Sequence, residues 1–213
     1  MNIETKRLVL VPVTQKYTFD IFKNFNNEVT KYMFPCPAKE IYETINIVEN
    51  WIRQRADKTD YVYAITLKET SEFLGVAGLH DLNNDAPELG IWTKINIHGN
   101  HYGREAIGGI IEYAKKQGIT KLIYPVDKRN IASKKIPLFY GGKVIAANKL
   151  VTTPDGRTLD EEIYELYRYA GIVHIIAISG LHISILASIL LFILKPLNNY
   201  IAVSYTHLTL PTI

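Results

Sequence analysis

Residues 87–117 read PELGIWTKINIHGNHYGREAIGGIIEYAKKQ. The first part, Glu88 to Thr93, alternates as a short strand does, with Leu89 and Ile91 on one face and Trp92 on the other. A polar loop follows, with glycine at Gly99 and Gly103. Then Ile107, Ile110, Ile111 and Ala114 recur at helical spacing. A strand, a glycine loop and a helix start form an anion site in sequence. The first N–H groups of a helix have no internal partner, and the helix dipole adds positive potential there. A phosphate settles on them where no Cβ blocks the approach. The plain alternative is an ordinary strand–loop–helix connection, since loops of this kind are common.

The surrounding chain has the makings of a globular core. Of its 213 residues 47% are hydrophobic and 21% charged, which by length suits one domain with an appendage. The net charge of +3 is mild and its basic residues are scattered, so nothing demands nucleic acid. The single cysteine, Cys36, excludes an internal disulfide and any multi-cysteine metal site, and suits a reducing compartment. MNIETKRLVLVPV at the N-terminus has no charged-then-apolar signal pattern. His98 and His101 pair without a third ligand, so no metal is expected. There is no Gly-x-Ser-x-Gly elbow, and the 99–103 loop lacks the Lys-Ser/Thr of a P-loop.

In chain order, Arg7 to Val13 predicts a strand and Tyr17 to Phe25 a helix with Ile21, Phe22 and Phe25 on one face. Pro35-Cys36-Pro37 breaks the chain. Ile41, Ile45, Val48 and Ile52 then predict a second helix. Tyr61 to Leu67 and Phe73 to His80 form a hairpin that Glu88 to Thr93 extends into a meander. Lys121 to Val126 is a strand, and Asn130 to Tyr140 a helix ended by Gly141-Gly142. Lys143 to Thr153 and Thr158 to Leu166 make a last hairpin around Pro154-Asp155-Gly156.

HGNHYGREA, residues 98–106, resembles the coenzyme A pyrophosphate loop of GNAT-type N-acetyltransferases, whose pattern is Gln/Arg-x-x-Gly-x-Gly/Ala. His98 stands at the Gln/Arg position, His101 at the first glycine, and Gly103 at the last small position. TKRLVLVPVT is similar to the opening strand of the branch that includes the ribosomal-protein acetyltransferases. DKRNIASKKIPLFYGG, residues 127–142, resembles the family's Asn-x-x-Ser…Gly segment. The element order is also the family's, so the resemblance covers about residues 3–166.

The resemblance implies an α/β (α+β) fold, the acyl-CoA N-acyltransferase fold, with a mixed central sheet whose splayed strands are flanked by helices. It implies acetyl-coenzyme A as cosubstrate and a primary amine as acceptor, a protein N-terminus or a small amine. The cofactor would lie on Ile91, Trp92 and Thr93, where a bulge lets pantetheine add to the strand. It would continue onto His98, Gly99, Asn100, His101, Tyr102, Gly103 and Arg104, with Asn130 and Ser133 near pantetheine. Asn130 is equally a good helix N-cap. Many members carry a tyrosine seven residues after that asparagine, as general acid toward the thiolate; Pro137 stands there instead, and the role is not transferred to Tyr140. In the family the first helices line the acceptor side, where Tyr32, Phe34 and Cys36 shape a pocket or simply fill core and turn. Acetyl transfer needs a neutral amine, a polarised carbonyl and a leaving thiolate. Glu88 and His80, both at strand ends, are the candidate bases, with Asp81 a weaker third. Each is also readable as a plain surface or hydrogen-bonded residue. Positioning alone supplies much of such rates. The departures at Pro137 and His101 leave open a non-catalytic acyl-coenzyme A binding module.

After Tyr169 the composition changes. Residues 170–194, AGIVHIIAISGLHISILASILLFIL, hold no formally charged residue, and the run is long enough to span a bilayer, which takes about 20 residues. LYRYAGIVHIIAISGLHISIL resembles the start of the membrane region of ComEC-like competence channels, on His174, Ser179, Gly180 and His182. VSYTHLTLPTI, residues 203–213, resembles a translated sequencing adaptor. The expected organisation is thus an acetyltransferase domain at 3–166, an apolar competence-like fragment at 167–200 whose helix is foreign to that fold, and a disordered tail at 201–213. The competing reading is an acetyltransferase with a genuine C-terminal anchor. The first domain is expected in the bacterial cytoplasm, as monomer or homodimer, with membrane contact only through 170–194.

Overall fold

The computed structural model describes residues 1–167. Among them, eight strands form one sheet: β1 (Ile3–Glu4), β2 (Leu8–Pro12), β3 (Tyr61–Leu67), β4 (Phe73–His80), β5 (Glu88–Thr93), β6 (Lys121–Asp127), β7 (Lys143–Thr152) and β8 (Thr158–Tyr167). The helices are α1 (Thr18–Asn24), α2 (Asn27–Thr30), α3 (Ile41–Ala56), α4 (Tyr102–Lys116) and α5 (Ile131–Phe139). The spatial order is β1-β2-β3-β4-β5-β6-β8-β7, so the final hairpin inserts β8 between β6 and β7. Every neighbouring pair is antiparallel except β5 and β6, which run parallel and share one bridging pair, Glu88 with Ile123. The first compact unit of the chain ends at Arg168.

Strand alternation divides the core into two layers. On one face α4 lays Ala106, Ile107, Ile110 and Ala114 onto Leu8, Leu10, Tyr63, Ile65, Leu79, Leu89, Leu122 and Tyr124. On the other, α1 and α3 cover Val62, Ala64, Val76 and Trp92 with Tyr17, Ile21 and Val48. Each fully buried Leu or Ile contributes about 1.5–3 kcal/mol, which makes these layers the main stabilising term. Leu89 and Trp92 fall in opposite layers, as the alternation of β5 predicts.

Some elements differ from expectation. β1 has two residues and α2 four, too short for a periodic signal. What fixes α2 is a cap: the Asn26 side chain accepts the N–H groups of Glu28 and Val29. In α3 the buried residues are Thr44 and Val48, with Trp51 packed beside them. Ile41, Ile45 and Ile52 are 40%, 40% and 38% exposed. The isoleucines lie about 70° round the helix from the buried line, at ~100° per residue, so α3 meets the sheet on Thr44, Val48 and Trp51 and not on the isoleucine stripe. Proline in a helix interior removes one backbone hydrogen bond, yet α5 continues through Pro137 to Phe139. It then closes with Gly142 N–H donating to the Pro137 carbonyl at 2.8 Å.

Candidate active site

The divergence of β5 from β6 is the centre of the site. Lys94 N–H donates to the Leu74 carbonyl at 2.8 Å, which fixes the phase of the β4–β5 ladder. Even-numbered residues of β5 then bond to β4, and odd-numbered ones turn their N–H and C=O toward β6. Ile123 N–H donates to the Pro87 carbonyl at 3.0 Å in agreement with that phase. Beyond the Glu88–Ile123 bridge the ladder stops. Ile91 and Thr93 therefore present backbone groups to the gap, while the backbone of Trp92 belongs to β4. The Trp92 ring is core, with its centroid 5.1 Å from Phe25 and 5.9 Å from Phe73.

The gap leads to the loop 98–101 and the first turn of α4. Tyr102, Gly103 and Arg104 supply N–H groups with no intrahelical acceptor, as at any helix start. His101, the position where a glycine is expected, has φ 62° and ψ 16°. The family's glycine preference is thus a left-handed backbone that His101 adopts, and the residue is exposed. Gly99 is also left-handed at φ 87°, with nothing within 4 Å of where a Cβ would stand. A Cβ at Gly103 would meet Ile91, Ile136 and Thr93 at 3.5–3.8 Å, which is ordinary contact. His98 Nε2 lies 3.3 Å from the Thr93 carbonyl oxygen, so its ring closes the end of the gap. Asn100 donates its amide to the Ile97 carbonyl at 3.0 Å. The Arg104 guanidinium sits 4.2 Å from the centroid of the Phe139 ring and so leans on the end of α5.

Two residues that sequence reading missed brace this loop from behind. Arg7 Nε donates to Glu105 Oε2 at 2.7 Å, and Arg7 Nη2 to the Asn100 carbonyl at 3.0 Å. The Arg7 guanidinium also lies 4.4 Å from the Tyr102 ring centroid. Glu105 Oε1 accepts from Thr5 Oγ1 and from Arg7 N–H, each at 2.7 Å. Burial pushes the Glu105 carboxyl up, but these hydrogen bonds and the Arg7 charge outweigh it and hold it below its ordinary range. No motif announces the pair, because the two residues are 98 apart in sequence.

On the α5 side the expected pantetheine residues are occupied with each other. The Asn130 side chain accepts the Ser133 N–H at 3.1 Å as an N-cap. Ser133 Oγ is 2.7 Å from the Tyr124 hydroxyl, which burial pushes up to about 12. Tyr140 donates its hydroxyl to the Arg104 carbonyl at 2.7 Å, so it braces α4 against α5.

The face of β5 toward α1 and α3 carries the titratable groups. Glu88 is the cross-strand partner of His80; Glu88 stands at the β5–β6 bridge from which the gap opens, and His80 one strand away on β4. Burial raises the Glu88 carboxyl above its ordinary value; His80 and Lys149 pull it down, while Asp81 and Glu161 push it further up. His80 Nδ1 is 2.9 Å from Asp60 Oδ1. Asp81, at φ 56°, is exposed in the turn that follows. Below the same face Arg157 donates to the Thr30 and Lys31 carbonyls at 2.7 and 3.2 Å and approaches Cys36 Sγ at 3.7 Å. The turn of the last hairpin is thereby tied to the segment that holds Tyr32, Phe34 and Cys36. No cluster of three or more metal-ligating side chains occurs among the described residues, and no described helix is long and apolar enough to cross a membrane. Residues 170–194, the competence-like segment and the 203–213 tail lie outside the described residues.

Known proteins bear on this arrangement in two parts of the chain. Residues 151–212 match the competence protein family. That match begins inside β7 and takes in β8, strands that here complete the sheet. The chain is 24% identical over 170 residues to the uncharacterized N-acetyltransferase YoaA of Bacillus subtilis, across 78% of this chain and 96% of that one. Its fold is similar to RimL, a ribosomal L7/L12 alpha-N-protein acetyltransferase solved with coenzyme A, at a TM-score of 0.72 and 16% identity over 80% of this chain and 99% of that one. It is also similar to MccE, the microcin C7 self-immunity acetyltransferase solved with acetyl-CoA and AMP, at a TM-score of 0.68 and 19% identity over 76% and 93%. The model of the acetyltransferase (GNAT) domain matches residues 7–143, well over half of the chain and the part that holds the splayed strands and the anion-ready loop, and the chain belongs to that family.

Proposed function

We propose that the protein transfers acetyl from acetyl-coenzyme A to a primary amine, a protein N-terminus or a small amine, by direct attack on the thioester. The observation that carries this is the β5–β6 gap, open from Ile91 onward and ending on the first turn of α4. Pantetheine adds to β5 through Ile91 and Thr93 in the manner of a strand, and the pyrophosphate takes the N–H groups at 102–104. The same N–H groups of β5 polarise the thioester oxygen as negative charge develops. The amine arrives on the α1/α3 face beside Glu88 and His80. Its lone pair forms the C–N bond, the C–S bond breaks, and the electron pair leaves with sulfur. Glu88 or His80 takes the amine proton. With Tyr140 engaged by Arg104, the thiolate departs without that tyrosine's proton. RimL, by its name, acts on a protein α-N position, which supports an amine acceptor; MccE, by its name, is a microcin C7 self-immunity acetyltransferase.

The catalytic domain in this reading is residues 3–166, acting in the bacterial cytoplasm as monomer or homodimer. Residues 167–200 are a competence-like fragment, in keeping with the match at 151–212, and 201–213 an adaptor-like tail. The test of function is thiol release from acetyl-coenzyme A with a panel of N-terminal peptides, polyamines and amino acids. Amine-dependent release supports the reading. Tight binding without release by any amine would leave a non-catalytic acyl-coenzyme A module.

A further inference from the structure

Three acids and bases lie in one row across three neighbouring strands. Asp60 directly precedes β3, and the register that pairs Tyr61 with Leu79 puts it opposite His80. His80 in turn pairs with Glu88 on β5. All three project toward α1 and α3, the face of Val62, Val76 and Trp92.

The His80 ring does not stand out from the sheet. It folds back over a pair of glycines, Gly78 and Gly90, which are cross-strand partners. A Cβ at Gly78 would come within 2.3 Å of His80 Nε2, and one at Gly90 within 3.1 Å. The glycine pair is thus a seat for the imidazole. It brings Nε2 over β5, the strand that borders the gap. The other ring nitrogen, Nδ1, is 2.9 Å from Asp60 Oδ1, and Asp60 is 7% exposed. A carboxylate accepts and does not donate, so the proton between them sits on Nδ1, and in the neutral ring Nε2 is the nitrogen that carries the lone pair.

We propose that Asp60 is a positioning residue that holds His80 in the Nδ1–H tautomer, with Nε2 seated over Gly78 and Gly90 to receive the proton of the attacking amine. This rests on the acetyl-transfer reading above. As the C–N bond forms and the C–S bond breaks, the amine proton passes to Nε2. The imidazolium keeps its Nδ1–H on Asp60 and later releases the Nε2 proton to solvent. Other charged groups around this row are Asp81 beside His80, Glu88 opposite it, and Lys149 and Glu161, which act on Glu88 from β7 and β8. Glu88 stands opposite His80 with its carboxyl raised by burial; an amine that arrives as ammonium gives its first proton to solvent before it attacks, and Nε2 takes the one lost as the C–N bond forms.

The test combines histidine tautomer assignment by long-range ¹H–¹⁵N NMR with steady-state kinetics on the full-length protein and its D60N, D60A and H80Q variants. The expected spectrum of the unaltered protein shows His80 protonated at Nδ1 and bare at Nε2, and D60N moves the proton to Nε2. The expected kinetics are a fall in kcat of about 10²-fold for H80Q, a comparable fall for D60N, and no further loss when the two are combined. KM for acetyl-coenzyme A stays unchanged. His80 protonated at Nε2 in the unaltered protein overturns the proposal, and this arm stands even if the Asp60 variants do not fold. So does a D60N loss that H80Q does not reproduce. If no amine supports thiol release, acetyl transfer fails as a reading, while the tautomer still reports on what Asp60 does.

Discussion

His101 adopts a conformation that costs an L-residue with a Cβ roughly 1–2 kcal/mol, at the one place where the loop turns into α4. Its φ of 62° explains the family's glycine, and its exposure explains why histidine survives there. H101G is predicted to leave coenzyme A affinity unchanged or tighter, because glycine adopts the same backbone without strain while losing more chain entropy on folding. A tenfold weaker Kd by calorimetry would show that the imidazole itself touches phosphate. Glu88 gives a second prediction at this scale. Its carboxyl is raised mainly by burial, so the folded state holds that proton more tightly than the unfolded chain. Stability is then lost as pH climbs from the ordinary carboxylate value through the raised one, since ionisation of the buried group opposes folding. E88Q should remove that loss, so the variant's melting temperature gains on the unaltered protein's as pH rises through this window. If Glu88 also takes the amine proton, E88Q flattens the acid limb of the rate profile; an unchanged limb assigns that role to His80 alone. Both candidate bases were legible in the sequence as polar residues at strand ends. Asp60 was not, because its place opposite His80 depends on the register between β3 and β4.

In the proposed reading α4 and its loop carry the cofactor end of the site, and their support comes from the other end of the chain. Glu105, in the first turn, ties Thr5 and Arg7 to α4, and Arg7 continues the tie to the Asn100 carbonyl. The Glu105 carboxyl is held below its ordinary value, so its contribution is present above the unfolded carboxyl's pKa and is lost as pH falls through the folded one. E105Q is predicted to destabilise the protein by about 1–3 kcal/mol near neutrality, with the difference from the unaltered protein closing in acid. It should also weaken coenzyme A binding through the loosened loop. Equal stability at every pH would remove the brace. Strand β5, the loop and the start of α4 were legible because alternation, glycine and helical spacing follow one another in a single stretch. The exposed isoleucines of α3 were misleading, since periodicity reports an apolar stripe and not which stripe a neighbour covers. Asn130 and Ser133 show a related limit: a capping asparagine and a cofactor-binding one have the same sequence signature, and here the cap is made.

Across the whole molecule, the sheet requires residues up to Tyr167. β6 pairs with β8 along its full length, from Lys121–Tyr167 to Asp127–Glu161. Inside β8 Glu165, 3% exposed, is paired with Lys121 at 2.6 Å. The competence match starting at 151 overlaps this hairpin, so family matching divides the chain earlier than strand pairing does. The order of the longer elements was readable in advance because turn residues bound each of those strands. The insertion of β8 between β6 and β7 is a long-range pairing that local pattern does not encode. In the proposed reading residues 1–167 fold without the rest and bind acetyl-coenzyme A in the β5–β6 gap. The deciding measurement is calorimetric titration of acetyl-coenzyme A into the chain ended after Tyr167. A folded fragment that binds with micromolar Kd, about −8 kcal/mol, is the predicted result; a folded fragment that takes up no acetyl-coenzyme A, or a fragment that does not fold, would contradict it.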